Sequence, residues 1–118
     1  MYGLKEETDV SFLKGRELIQ VAVGCYQIIF AFDEETTISV ESGYELHANE
    51  GTTVWTPGKV HTAASALDLL GRTITEVRGE VSGTLTITFS GGDLLVISDS
   101  SKHYESYQIT KPGCTIVV

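Results

Sequence analysis

Apolar and polar residues alternate with a period of two along most of this chain, which is typical of strands with one buried face. The alternation predicts two β-hairpins. In the first hairpin, the apolar face consists of Tyr26, Ile28, Phe30 and Phe32, followed across the polar connection 33–36 by Ile38 and Val40. In the second, it consists of Leu85, Ile87 and Phe89, followed across the turn 90–93 by the segment 94–98. Gly91 and Gly92 suit a tight turn that needs positive φ angles.

A helical spacing begins after Thr62. The apolar residues there stand at positions i, i+3, i+4 and i+7, and they are Ala63, Ala66, Leu67 and Leu70. Such a stripe predicts an amphipathic helix, and Gly71 follows where a left-handed C-terminal glycine is expected. A shorter helical turn is predicted near the start of the chain, with Val10, Phe12 and Leu13 inward and Gly15 at its end.

Two parts of the chain match each other in sequence. Segment 13–21 aligns with 69–77, 26–30 with 85–89, 38–40 with 95–97, and Tyr44-Glu45 with Tyr104-Glu105. Such a repeat implies two similar units, neither of which buries its apolar face alone. The predicted fold is α+β and predominantly antiparallel β, a tandem pseudo-repeat of a short helix plus a three- to four-stranded meander.

The length of 118 residues predicts a single domain over residues 1–118. It would consist of two similar halves, about 8–48 and 62–118, joined by the loop 49–61 with its Pro57-Gly58 turn. The pattern leaves open whether the halves form one continuous sheet, a barrel or a sandwich. Trp55 either fills the seam between the halves or anchors a partner from the loop.

The charge balance excludes some partners. Sixteen acidic residues against eight basic ones give a formal net charge of −8. The basic residues are scattered rather than clustered, whereas nucleic acids and anionic membranes are bound through basic patches. We therefore expect neither kind of binding. A charge of −8 serves either solubility or docking of a basic partner.

Other features of the sequence concern location and redox state. Residues 1–9 contain no apolar run and carry acidic residues early, which is unlike a secretory signal. Cys25 and Cys114 are too few for a disulfide framework and do not form a Cys-x-x-Cys motif. A cytoplasmic, reduced protein is the expectation.

Motifs of catalysis and metal binding are missing from the sequence. It has no phosphate-binding loop, dinucleotide fingerprint or His-Glu-x-x-His motif. His47, His61 and His103 match no metal-ligand spacing. Glu45 and Glu105 occupy matching positions of the repeat, and we interpret them as partners of Arg16 and Arg72 in twin structural ion pairs. We predict no catalytic residue, no metal and no cofactor.

The best candidates for a contact surface are acidic residues near turns and a tyrosine-rich segment. Tyrosine is favoured at interfaces because its ring supplies area and its hydroxyl supplies a hydrogen bond. Alternation implies that Tyr104 and Tyr107 do not both point inward. The predicted partner-binding residues are Asp33, Glu34, Glu35, Asp93, Asp99, Tyr104, Glu105 and Tyr107.

In size, net charge, β-rich meanders and lack of catalytic motifs, the chain resembles small acidic bacterial proteins of unknown function that include immunity proteins. The repeated Gly-Arg pairs at residues 15–16 and 71–72, and the repeated Tyr-Glu pairs, are its nearest approach to a signature. The resemblance implies a non-enzymatic inhibitor that covers a basic toxin, such as a nuclease, with an acidic face. Electrostatic steering would make that association fast.

Two alternatives remain at the level of sequence. The first is a small-molecule-binding protein, either a monomer or a homo-oligomer, whose ligand lies between the pseudo-symmetric halves and faces Arg16, Arg72 and Arg78. The second is a small enzyme that uses Glu45 or Glu105 with a histidine or tyrosine. A raised carboxyl pKa inside a cleft would indicate the second.

Overall fold

The computed structural model describes residues 9–98 and 106–118. These residues form two 3-10 helices, Ser11–Leu13 and Val60–Leu69, and strands that we number in chain order. The strands are β1 (Leu18–Val23), β2 (Ile28–Phe32), β3 (Thr36–Val40), β4 (Tyr44–Ala48), β5 (Gly51–Trp55), β6 (Ile74–Gly79), β7 (Leu85–Phe89), β8 (Leu94–Ile97), β9 (Tyr107–Lys111) and β10 (Cys114–Val117). The prediction of a mainly antiparallel β protein is confirmed.

The strands form two five-stranded sheets in which every pairing is antiparallel. The first sheet has the order β1-β2-β3-β9-β10, and the second has the order β6-β7-β8-β4-β5. Each sheet therefore combines a meander of three consecutive strands with a hairpin from a distant part of the chain. Each hairpin pairs with the last strand of the meander in its sheet. Ile109 of β9 lies opposite Ile38 of β3, and Leu46 of β4 lies opposite Leu95 of β8.

The two sheets pack face to face as a sandwich. Every second residue of β2 and β7 is buried, because successive side chains point to opposite faces of a strand. Aromatic rings cross between the sheets: Phe32 stacks on Phe89 with ring centroids 6.4 Å apart, and Phe30 meets the edge of Tyr44 at 5.7 Å. The question of one sheet, barrel or sandwich is thus decided by the tertiary structure.

Backbone hydrogen bonds tie the sheets together where β1 and β6 begin. Glu17 and Thr73 form an isolated antiparallel bridge. Beside it, the Gly15 amide donates to the Ile74 carbonyl and the Gly71 amide donates to the Leu18 carbonyl, both at 2.8 Å. Gly15 and Gly71 have φ angles of +90° and +84°, so the turns that follow both helices use the left-handed conformation that glycine favours.

The helical segment at Val60–Leu69 differs from its predicted register. It is a 3-10 helix whose buried residues, Ala63, Ala66 and Leu69, recur every three positions. Leu67 and Leu70, which a helix of 3.6 residues per turn would bury, are 49% and 43% exposed. The reason is geometric: with 3.0 residues per turn, side chains at i and i+3 lie on one line.

Two further predictions differ from the structure. Residues 49–61 were predicted as a loop, but Gly51–Trp55 is a strand paired with β4. Its first four residues are exposed and only Trp55 is buried, so alternation gives no signal there. Tyr26 does not share the buried face of β2: it lies before the strand begins and is 71% exposed.

Candidate functional site

Four turns meet at one end of the sandwich. Phe32 and Phe89, which stack on each other, directly precede the turns 33–35 and 90–92. The pairing of His47 with Leu94 brings the turn 49–50 to the same end, and that of Thr37 with Thr110 brings the turn 112–113 there. We call this region, formed by the four turns, the turn end. Three of the predicted contact residues, Asp33, Glu34 and Glu35, lie on it.

The turn between β2 and β3 has an unfavourable backbone for its sequence. Glu34 and Glu35 have φ angles of 57° and 54°, and among the described residues they are the non-glycine residues with positive φ. Two successive positive φ angles are typical of type I′ turns, where glycine and asparagine are favoured. At the corresponding place after Phe89, the second sheet has Gly91 and Gly92, with φ angles of 94° and 97°.

The side chains of Glu34 and Glu35 gain nothing within the molecule that offsets this strain. Both are exposed, and neither carboxylate makes a hydrogen bond or ion pair with any residue in the described ranges. The one side-chain bond in the turn is made by the Thr36 hydroxyl, which donates to the Glu34 carbonyl at 3.2 Å.

Asp33, in contrast, has a structural role. Its Oδ1 accepts a hydrogen bond from the Glu17 amide at 3.1 Å and lies 3.8 Å from Arg16 Nη1. The Asp33 amide donates in turn to the Glu17 carbonyl at 3.0 Å. These contacts hold the β2–β3 turn against the start of β1. They also correct the predicted pairing of Arg16 with Glu45, because Glu45 contacts His47 Nε2 at 3.0 Å instead.

A cleft of about 600 Å³ opens beside the β7–β8 turn. Its charged lining residues are Glu50, Asp68, Arg72 and Asp93. Arg72 Nη1 lies 3.3 Å from Asp93 Oδ2 and donates to the Ser90 carbonyl, also at 3.3 Å. An ideal Cβ on Gly91 would lie 2.8 Å from the same Nη1, so the absence of a side chain at residue 91 lets the guanidinium rest on the turn.

The remaining predicted contact residues are placed differently. Asp93 is only 8% exposed and is paired with Arg72. Tyr107 is 1% exposed, and its hydroxyl donates to the Gly83 carbonyl at 2.6 Å, which places it in the core rather than on a contact surface. Asp99, Tyr104 and Glu105 lie outside the described residues.

Sequence reasoning missed three exposed acidic residues near the turn end. Glu17 lies beside Asp33, whereas Glu50 and Asp68 line the cleft. None of the three forms an ion pair within residues 9–98 and 106–118. Glu50 lies in the turn between β4 and β5, which were not predicted as a hairpin, and Asp68 lies in the helix whose register was mispredicted. The sequence pattern therefore gave no indication that the two residues are close in space.

Within the described residues, two buried side-chain atoms of the core have no hydrogen-bond partner. They are Tyr44 Oη and Trp55 Nε1, and the two rings stack with centroids 5.7 Å apart. Burial raises the pKa of Tyr44 to about 12. At the surface, hydrogen bonds from the Ser11 hydroxyl and amide lower the pKa of Asp9. Trp55 is fully buried in the core, so it is not an exposed anchor.

The described part of the chain has neither a cluster of metal-ligating side chains nor a membrane-spanning helix. It holds no group of three or more histidine, cysteine, aspartate or glutamate side chains arranged to bind a metal. None of its helices has the length and apolar character needed to cross a bilayer. His47 is instead held between Glu45 and the Thr52 hydroxyl, which lies 3.1 Å from its Nδ1.

The sequence profile of a family of unknown function, DUF6188, matches residues 10–118. The chain belongs to this family. The match spans both sheets and all four turns of the turn end. Searches among curated proteins and among solved structures found no match.

Proposed function

We propose that this DUF6188 protein is a non-enzymatic protein-binding module whose turn end binds a basic partner protein. The observation that carries the proposal is the pair Glu34 and Glu35, two glutamates at positive φ angles without any intramolecular contact of their carboxylates. Non-glycine residues in such conformations cost stability and cluster at functional sites. The turn 90–92 has glycine at the same two places, so the fold itself does not require acidic residues there.

The distribution of charge supports a basic partner. Five exposed acidic residues near the turn end make no ion pair within the described chain, and they are Glu17, Glu34, Glu35, Glu50 and Asp68. Arg16 and Arg72, the arginines nearby, are already paired with Asp33 and Asp93. The surface therefore carries an excess of negative charge, which accelerates encounter with a positively charged protein.

We propose an immunity-protein-like role for this binding: a bacterial, cytoplasmic protein that neutralises a basic toxin such as a nuclease. The sandwich supports this role because a rigid scaffold presents the turns without a large ordering cost on binding. We place Glu34 and Glu35 at the centre of the contact surface, because Asp93 and Tyr107, which were also among the predicted contact residues, are buried.

We also propose that the chain is a tandem repeat of a short helix and a meander. Supporting features are the identical order of burial along β1 and β6 and the positive φ angles of Gly15 and Gly71. Reciprocal hydrogen bonds add to these: the Leu18 amide donates to the Arg72 carbonyl and the Ile74 amide to the Arg16 carbonyl, both at 2.9 Å.

The test is affinity capture from a lysate of the source organism with three immobilised proteins. They are the natural protein, the charge reversal Glu34→Lys/Glu35→Lys, and the control Glu41→Lys/Glu80→Lys, which makes the same charge change at the opposite end of the sandwich. We expect one basic protein to bind the natural protein and the control at low salt, to leave at high salt, and not to bind the turn variant. Retention of no basic protein, or equal retention by both variants, would contradict the proposal.

A further inference from the structure

Three exposed apolar side chains lie near one another where the second 3-10 helix ends beside β1. They are Ile19, Leu67 and Leu70, which we call the apolar patch, and each is between 43% and 58% exposed. The Leu70 amide donates to the Leu67 carbonyl at 3.2 Å, which places Leu70 one helical turn after Leu67. The Gly71 amide donates to the Leu18 carbonyl at 2.8 Å, and this bond brings Leu70 beside Ile19.

The aligned segment of the chain has polar residues at the same three positions. At the constant offset of 56 residues, the counterparts of Ile19, Leu67 and Leu70 are Thr75, Ser11 and Lys14. All three counterparts are exposed. Lys14 forms an ion pair with Glu76 at 3.2 Å, and the Thr75 hydroxyl donates to the Thr88 carbonyl, also at 3.2 Å.

The backbone is alike at the two sets of positions, so the difference lies in the side chains. The pairing register of β1 shifts between Leu18 and Gln20, and that of β6 shifts between Ile74 and Glu76, so Ile19 and its counterpart both lie at a bulge. A backbone that accepts polar residues at one set of positions does not require exposed apolar residues at the other. The apolar patch therefore calls for an explanation outside the fold.

Acidic residues border the apolar patch. Glu17 lies two positions before Ile19, and Asp68 lies between Leu67 and Leu70 in the chain. Both acidic side chains are exposed and form no ion pair with any residue that the structure describes. An apolar centre with a polar rim is the usual anatomy of a protein interface, and an acidic rim favours a partner with lysine or arginine. The formal net charge of −8 disfavours a second copy of this chain as the occupant.

We infer that the apolar patch docks an apolar side chain of the basic partner, and that Glu17 and Asp68 hold lysine or arginine side chains next to it. The inference rests on the proposed function, because it identifies a surface by which the same partner is held. The two surfaces contribute differently. The acidic turn end accelerates encounter, and salt screens that effect, whereas the apolar patch supplies burial of apolar area, which salt does not screen.

The probe is a phage-displayed library of random peptides of about twelve residues, selected on the immobilised whole protein. We expect the selected peptides to combine lysine or arginine with an aromatic or aliphatic residue. Their dissociation constants are then measured with synthetic, fluorescently labelled copies. Selection of no peptide, or of peptides without basic residues, would overturn the inference.

A pair of matched variants locates the binding surface. Ile19→Thr/Leu67→Ser introduces the residues of the aligned segment and leaves the net charge unchanged. We expect it to raise the peptide Kd by about tenfold, and by the same factor at about 0.5 M salt. The control Val81→Thr/Val117→Thr changes exposed apolar residues in the β6–β7 turn and at the opposite edge of the first sheet, and it should leave Kd unchanged. An unchanged Kd in the first variant, or an equal loss in both, would overturn the inference.

Two further measurements test the acidic rim and the choice of occupant. Glu17→Gln/Asp68→Asn should weaken peptide binding at low salt but not at about 0.5 M salt, where exposed charges are screened; binding unaffected at low salt would overturn the role of the rim. Sedimentation equilibrium of the natural protein should show a monomer. A dimer that Ile19→Thr/Leu67→Ser abolishes would overturn the inference, because the patch would then bind a second copy.

The two proposals fail in different ways. If the selected peptides ignore the apolar patch but Glu34→Lys/Glu35→Lys still loses a captured basic protein, the inference is overturned and the proposed function stands. If the peptides bind the patch as expected but no basic protein is captured, the proposed function is overturned, and the preference of the patch for a basic, apolar segment is supported.

Discussion

Replacing Glu34 and Glu35 with glycine is expected to stabilise this protein. Both residues have positive φ angles, and a residue with a Cβ atom in that region costs about 1–2 kcal/mol relative to glycine. Glycine has greater freedom in the unfolded chain, which opposes the gain by about 0.5–1 kcal/mol per position. The net change in the free energy of unfolding is therefore an increase of about 1–2 kcal/mol for the double variant.

The assay is urea denaturation followed by the fluorescence of Trp55, the single tryptophan, which is fully buried. The midpoint should rise while the slope m stays unchanged. In a thermal scan, the same gain raises Tm by about 4–8 °C for a chain of this length. Measurements at about 0.5 M salt screen the repulsion between neighbouring acidic residues. A gain that persists there comes from the backbone.

The reverse substitution in the other turn is the matched control. Gly92 has a φ angle of 97°, and an added Cβ would meet no atom within 4 Å, so Gly92→Glu introduces backbone strain without a clash. It should lower the free energy of unfolding by about 0.5–1 kcal/mol. If the glycine double variant were no more stable than the natural protein at high salt, the strain argument for Glu34 and Glu35 would be refuted.

Three further predictions concern the core and the cleft. Because burial raises the pKa of Tyr44 to about 12, its neutral form is favoured in the folded state. This group should not affect the free energy of unfolding below about pH 10, and above that pH it should lower it, by a total that approaches about 2.7 kcal/mol once the pH exceeds about 12. Tyr44→Phe should remove that part of the alkaline fall in urea midpoints. At pH 7 it should stabilise the protein by about 1 kcal/mol, because the hydroxyl is buried and has no hydrogen-bond partner among the described residues, and a destabilised variant would contradict this. Gly91→Ala should lower Tm, because its φ is +94° and its Cβ would lie 2.8 Å from Arg72 Nη1; an unchanged Tm would contradict both arguments. Leu69→Ala should destabilise by about 2–5 kcal/mol and Leu67→Ala by far less, and the opposite order in urea denaturation would refute the 3-10 register.

The order of the sheets could not be read from the chain. Local alternation identifies β2 and β7 because it reports which side chains are buried, but it does not report which strands pair. The hairpin β4–β5 crosses to β8, and β9–β10 crosses to β3; both pairings join segments that are far apart in sequence. The partners of Arg16 and Arg72 follow from that register, which is why the predicted glutamate partner of Arg16 was wrong.

By itself, the sequence determined the antiparallel β character, the two central hairpins and the acidic turn 33–35, because each depends on residues within a few positions of one another. Only the tertiary structure decided that two sheets pack as a sandwich, that the second helix has a period of three, and that Glu50, Asp68 and Asp93 surround one cleft. It also showed that Glu34 and Glu35 have positive φ angles. Such features depend on contacts between distant segments and on backbone angles, and a single sequence does not encode either in its local pattern of polarity.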